Sequence, residues 1–336
     1  LEARMNPPDP VLGVRLLATA QALPERRVPT AEVARLCGVP EAVALKRTGV
    51  HERRWLSGQE TALTLGTQAA REALNRAGLN IGDVDVLLNA SGSQLQPIPD
   101  GAALYARELG LHGAATYSLH GTCLSFLLAL QHAALLIHTA RARHVLIISS
   151  EGGSVGLNPH QPESTLLIGD GAAAVLLGPP TRPGQGLHAT RTETHPAGAD
   201  HTRITGGGTL RHPSHPGATP TDFTFDMQGL QVLKLASRVV PPFLERLRPG
   251  LSHGLPGITR VIPHQASQAG LDLLRRYHWP EDRVEVTLRT LGNVIAASLP
   301  LTLHQALEAG RLGEGDTALL VGTGAGLIAG GVIWEL

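Results

Sequence analysis

Apolar positions along the chain follow two rhythms, one of helical period and one of short unbroken runs. Residues 59–78 place Leu63, Leu65, Ala69, Ala73, Leu74 and Ala77 at helical spacing, with Gly78 where a helix C-cap belongs. Residues 84–90 and 144–149 are short apolar runs and predict buried strands. Residues 11–19 alternate loosely and predict a first strand, followed by a short helix over 31–36 capped by Thr30. A helix over 100–109 ends at Gly110, a strand covers 116–119, and an almost wholly apolar helix runs from Leu124 to about Ala140. Residues 166–177 predict two strands joined through Gly169-Asp170-Gly171.

The pattern then breaks. Residues 181–221 are rich in Pro, Gly, His and Thr and predict an irregular, functional stretch. Beyond it, helices are predicted over 230–247, 267–277 and 296–309, and strands over 260–263, 317–322 and 327–334. Strand and helix alternate on both sides of the irregular run, which indicates a layered α/β fold. Each side closes on a strand, a Gly-x-Gly turn and a second strand, a weak internal repeat. The expected organisation is a first half over residues 5–180, an irregular connecting segment over 181–224 and a second half over 225–336.

Composition narrows the function classes. Of 336 residues, 42% are apolar and 17% charged, enough to build a large core. Lys plus Arg equals Asp plus Glu at 28 each, so no global attraction to nucleic acid or an anionic membrane is expected. The longest apolar stretch, 124–137, is interrupted by Ser125, Gln131 and His132 and is too short to span a bilayer. With two cysteines, Cys37 and Cys123, and no visible signal peptide, the expected location is cytoplasmic, with neither membrane nor nucleic acid as partner. Residues 1–4 read as an appended or upstream segment ahead of Met5 and stand outside the fold reading.

Three residues carry candidate chemistry. Cys123 lies between a predicted strand and an apolar helix, where free N–H groups and the helix dipole lower a thiol pKa; the bland reading is a buried structural cysteine. His264, in Val261-Ile262-Pro263-His264-Gln265-Ala266-Ser267, falls between a strand and a helix, a usual place for a site residue, though it is one of 16 histidines. Asn293, in Leu291-Gly292-Asn293-Val294, sits in a turn, where Asn also serves as a cap.

Taken together, these motifs resemble the ketoacyl synthase III branch of the thiolase superfamily. The resemblance covers nearly the whole chain. It rests on Thr48-Gly49-Val50-His51-Glu52-Arg53-Arg54, Ala77-Gly78-Leu79 with 83–88, Ile168-Gly169-Asp170-Gly171-Ala172-Ala173, Pro263-His264-Gln265-Ala266, and Gly292-Asn293 with Ala296-Ala297-Ser298. It implies a thiolase fold, two duplicated βαβαβαββ halves in five αβαβα layers. It implies that Cys123 accepts an acyl group from acyl-CoA or acyl carrier protein and that His264 and Asn293 stabilise the enolate formed when a malonyl thioester loses carbon dioxide. The backbone N–H groups of Cys123 and Ala325 would form the oxyanion hole. No cofactor or metal is implied beyond coenzyme A thioesters as substrates. The resemblance also implies a homodimer in which Ile98 closes the partner's acyl pocket, with Thr323 in the pocket of its own chain.

Departures from the family pattern bear on substrate. Val294-Ile295 replaces a common Thr-Ser after the Asn, Thr323 stands where a bulky aromatic is common, and Ile98-Pro99-Asp100 replaces Phe-Pro-Ser. A branch that joins two acyl chains head to head carries a glutamate at the position of Ile98. These differences argue against a housekeeping role and more strongly against the head-to-head branch. His195, His201, His212 and His215 lack zinc-ligand spacing, so no metal is expected. His120, three residues before Cys123, is expected to pack under the turn. The alternative activity is a non-condensing acyl transfer that forms an ester or amide; the retained Asn293 favours condensation.

Overall fold

The computed structural model describes residues 11–336; the reading of residues 1–4 and Met5 falls outside the described residues. Two five-stranded sheets form the frame. The first holds, in spatial order, Arg15–Ala22, Gly171–Gly178, Val145–Glu151, Val86–Asn89 and Ala115–Ser118. The second holds Leu12–Gly13, Gly186–Thr194, Ile328–Glu335, Thr317–Gly324 and Arg260–Pro263.

Side-chain alternation explains the layers. In the strand Val145–Glu151, Val145 and Ile147 face one core while Leu146 and Ile148 face another. The core between the sheets takes the apolar helix Ser125–His138 together with Leu299, Leu303 and Ala306 of Ser298–Glu308. Outside the first sheet lie Ala62–Ala77, capped by Thr61 and closed by Gly78 in a left-handed C-cap, and Gly101–Leu109. Outside the second lies Gly229–Leu247, burying Ala236, Val240, Phe243 and Leu244. The result is the five-layered αβαβα stack of the thiolase fold. Four positions of the first sheet have counterparts in the second; the fifth is reduced there to a single parallel bridge, Val261 to Val284.

Several sequence expectations need correction. The first strand is divided at buried Val14, so that Leu12–Gly13 joins the second sheet and Arg15–Ala22 the first. Thr30 begins its helix instead of capping it, and its hydroxyl donates to the Val50 carbonyl. A helix over Glu41–Thr48 was not foreseen. Only Gly171–Gly178 of the expected strand pair is a strand. Residues ahead of it form the short helix Pro162–Thr165 and a turn in which Asp170 accepts from Leu56 N (2.8 Å), Ser154 N (2.8 Å) and the Ser154 hydroxyl. The Gly-x-Gly repeat therefore closes a hairpin only in the second half, where Thr317–Gly324 pairs antiparallel with Ile328–Glu335. Finally, the expected irregular run contains a nine-residue strand, Gly186–Thr194. Its outer half is His, Thr, Arg and Glu, a polar composition that concealed the strand.

Candidate active site

The Ala115–Ser118 strand delivers the chain to a one-turn 3-10 helix, Thr122–Leu124, and the α-helix begins only at Ser125. Thr122 has φ of 51°, a left-handed conformation that β-branched residues seldom adopt. Ser125 holds this turn shut: its hydroxyl accepts from Gly121 N at 3.0 Å and donates to the Thr122 carbonyl at 2.8 Å. Thr122 Oγ1 in turn donates to the Ala325 carbonyl at 3.4 Å. The close approach of the two loops depends on Gly324, where an added methyl would stand 2.7 Å from Thr122 Oγ1.

Cys123 is half-buried. Its thiol is pushed up to about 11, first by burial and then by the Glu151 carboxylate, against the pull of the backbone N–H groups of Ala325 and of Cys123 itself. The expectation that a helix start lowers this pKa is thus reversed: the helix begins two residues later, and desolvation outweighs the N–H groups. Those same N–H groups, converging on sulfur, are the pair expected to hold an oxyanion.

His264 follows Arg260–Pro263 and is fixed by its own N–H, which donates to Val321 O at 2.8 Å. The ring is buried, and its Nδ1 has no hydrogen-bond partner among the described residues. Burial depresses it to about 4, so the imidazole is neutral at physiological pH. Gln265 anchors the loop from behind. Its Nε2 donates to Pro263 O (2.9 Å) and Glu285 O (3.1 Å), while its Oε1 accepts from Thr287 N and Leu288 N, both at 3.0 Å.

Asn293 is oriented by two opposite backbone contacts. Oδ1 accepts from Ile295 N at 2.9 Å, and Nδ2 donates to Ala266 O at 3.2 Å. That leaves the second amide hydrogen available to a ligand. Ala266 N itself donates to His264 O at 3.0 Å, so the His264 and Asn293 loops are joined directly.

Cys123, His264, Asn293, Thr323 and Ala325 all line one cavity of about 660 Å³. Its wall is mainly apolar, built from Leu233, Ala236, Val240 and Phe243 of Gly229–Leu247 and from Leu274 and Leu327, with Arg47 and Glu163 also contributing. Ile98 is not part of this wall; it is 86% exposed. His120 does not pack under the nucleophile turn but reaches the Gly92 carbonyl, with Nε2 2.9 Å away. Sequence reasoning passed over Glu151, buried at the end of an apolar strand. Its signal was a charge placed two serines beyond the apolar run of 145–148.

A cysteine facing two backbone N–H groups, a neutral imidazole and an oriented amide thus share one apolar cavity on a thiolase fold, the fold of acyl-transfer enzymes. A family model described as 3-oxoacyl-[acyl-carrier-protein] synthase III matches residues 117–196, and its C-terminal counterpart matches residues 255–336. The chain is 31% identical over 319 residues to acetoacetyl CoA synthase NphT7 of Streptomyces sp. (strain CL190), covering 94% of this chain and 96% of that protein. It is 31% identical over 316 residues to the β-ketoacyl-[acyl-carrier-protein] synthase III of Rhizorhabdus wittichii, covering 94% and 97%. The crystal structure of a synthase III from Thermus thermophilus superposes with a TM-score of 0.84 at 30% identity, covering 96% of this chain and 98% of that one. The chain belongs to the 3-oxoacyl-[acyl-carrier-protein] synthase III family.

Proposed function

We propose that this chain loads an acyl group from a coenzyme A or carrier-protein thioester onto Cys123 and condenses it with a malonyl thioester. The reading is carried by the Asn293 amide, held by Ile295 N and Ala266 O so that a neutral N–H remains for a developing anion beside neutral His264.

In the first half-reaction the Cys123 sulfur attacks the thioester carbonyl. Its high pKa requires the thiol proton to leave as the bond forms, and neutral His264, which lines the same cavity, takes it. The N–H groups of Cys123 and Ala325 hold the oxyanion. Collapse of the intermediate expels the carrier thiol, which takes the proton. In the second half-reaction the malonyl thioester loses carbon dioxide, and the His264 and Asn293 N–H groups donate to the enolate oxygen. The enolate carbon attacks the acyl carbonyl, a 3-oxoacyl thioester leaves, and the Cys123 sulfur recovers a proton.

The reading extends to a homodimer in which Ile98 of one copy closes the acyl cavity of the other. Its 86% exposure, unusual for a large apolar side chain, supports a contact with a second copy. The test is mass spectrometry of the protein after incubation with acyl-CoA, followed by malonyl-CoA or malonyl carrier protein. An adduct on Cys123 that is discharged as a 3-oxoacyl thioester is the expected result. An adduct discharged only to an alcohol or amine would replace condensation with simple acyl transfer.

A further inference from the structure

Glu151 ends the strand Val145–Glu151 and is fully buried. Its carboxylate accepts from the N–H groups of Gly92 and Ser93 (3.0 Å) and from the Ser93 hydroxyl, and its strand packs against the Ile295–Ala297 turn, whose Ala296 N–H lies close enough to favour the charged carboxylate. These donors come from two turns that flank the chemistry. Ala296 lies three residues after Asn293, in the 3-10 turn Ile295–Ala297. The Gly92–Ser93 turn packs between Ile295 and the residue before Cys123: a methyl added at Gly92 would stand 2.6 Å from Ile295 Cγ2 and 3.1 Å from the Thr122 carbonyl. His120 grips the other side of the same peptide through the Gly92 carbonyl. Ile295 itself has φ of 45°, a conformation costly for a β-branched residue and one that the surrounding contacts must hold.

We propose that Glu151 is a positioning residue for condensation: by tying the Gly92–Ser93 turn to the turn after Asn293, it sets the Asn293 amide against Cys123. This rests on the condensing reading above. Acylation needs only Cys123, the two N–H groups and His264, none of which Glu151 touches. Condensation also needs Asn293, whose turn ends on this carboxylate. The carboxylate further acts on the thiol through space, since its charge opposes the Cys123 thiolate; the other titratable group within its influence is the buried Tyr105 hydroxyl.

Glu151→Gln separates these effects. It removes the charge and turns an NH2 group toward N–H donors, so the tie fails on one side. Condensation from preloaded acyl-enzyme should fall about tenfold or more, as small displacements of catalytic groups do, while acylation from acyl-CoA is retained or faster. The pH midpoint for alkylation of Cys123 by iodoacetamide should move lower. A structural role alone would leave that midpoint in place. An unchanged midpoint, or an unchanged ratio of condensation to acylation, overturns the proposal. Should Glu151→Gln fail to fold, Ser93→Ala, which keeps the carboxylate and removes one donor, decides by the same ratio: a fall supports the tie and no change overturns it. Alkylation is read without any acyl donor. A wild type that does not condense therefore defeats the condensing reading while the midpoint still reports on Glu151.

Discussion

Replacing Asn293 by alanine separates the two half-reactions most sharply. The side chain makes two hydrogen bonds, from Ile295 N at 2.9 Å and to Ala266 O at 3.2 Å. At about 1 kcal/mol net each, their loss costs about 2 kcal/mol of stability, a drop of a few degrees in melting temperature for a chain of this size. The kinetic effect is of another kind. A lost donor to a developing oxyanion typically costs at least about a hundredfold, or about 2.7 kcal/mol of transition-state stabilisation. Acylation does not call on Asn293, so it should stay near wild type. The assay preloads Cys123 with a labelled acyl group, removes free donor, adds malonyl thioester and follows loss of the adduct at intervals after mixing. Asn293→Ala should load normally and discharge about a hundredfold more slowly. Equal slowing of both half-reactions, or discharge at the wild-type rate, would refute the assignment.

Acylation should map to Cys123 alone and vanish in Cys123→Ala, because Cys37 lies outside the cavity; peptide mass spectrometry reads both sites. Folding stability should carry two opposing pH dependences. His264, held near 4 against its ordinary 6.5, contributes stability that is present above 6.5 and lost as pH falls towards 4. Glu151, raised to about 7 from 4.5, contributes stability that is present below 4.5 and lost as pH rises through 7. Thermal melts from pH 4.5 to 6.5 should therefore lose a rising component in His264→Ala and a falling one in Glu151→Gln; a slope unmoved in either variant refutes that assignment. Ile98→Phe should shift donor preference towards acetyl, by roughly fourfold per methylene excluded, when acetyl, butyryl, isobutyryl and octanoyl donors are compared. An identical profile would remove Ile98 from the pocket.

The frame was legible wherever a residue pattern had a single structural solution. Residues 59–78 carry a stripe and a stop, and they folded as read, with Thr61 supplying an N-cap that was not foreseen. The apolar helix after Cys123 was equally plain. What stayed hidden depended on partners distant in sequence. Val14 looks like a mid-strand valine, yet the chain changes sheets there because Leu12 pairs with Leu187 while Arg15 pairs with Gly178. Leu166 to Ile168 read as a strand, but Asp170 anchors that segment to Leu56 and Ser154, leaving only a bridge from Ile168 to Asn293. At the site, residue types pointed to Cys123, His264 and Asn293. The thiol's high pKa was not visible, because it arises from burial and from Glu151, 28 positions further along the chain. The left-handed backbones of Thr122 and Ile295 were equally hidden, since neither residue type advertises that conformation.

The division of the first strand between two sheets also sets a timetable. Translation delivers about 5–20 residues per second, so Arg15–Ala22 waits on the order of ten seconds or more before Gly171–Gly178 exists to pair with it. Gly186–Thr194 waits a comparable time for Ile328–Glu335. The loop that brings Ala325 to Cys123 lies just ahead of that last strand. A nascent chain therefore carries Cys123 without its Ala325 partner for most of its synthesis, and the pair of N–H groups is complete only once that last hairpin has formed.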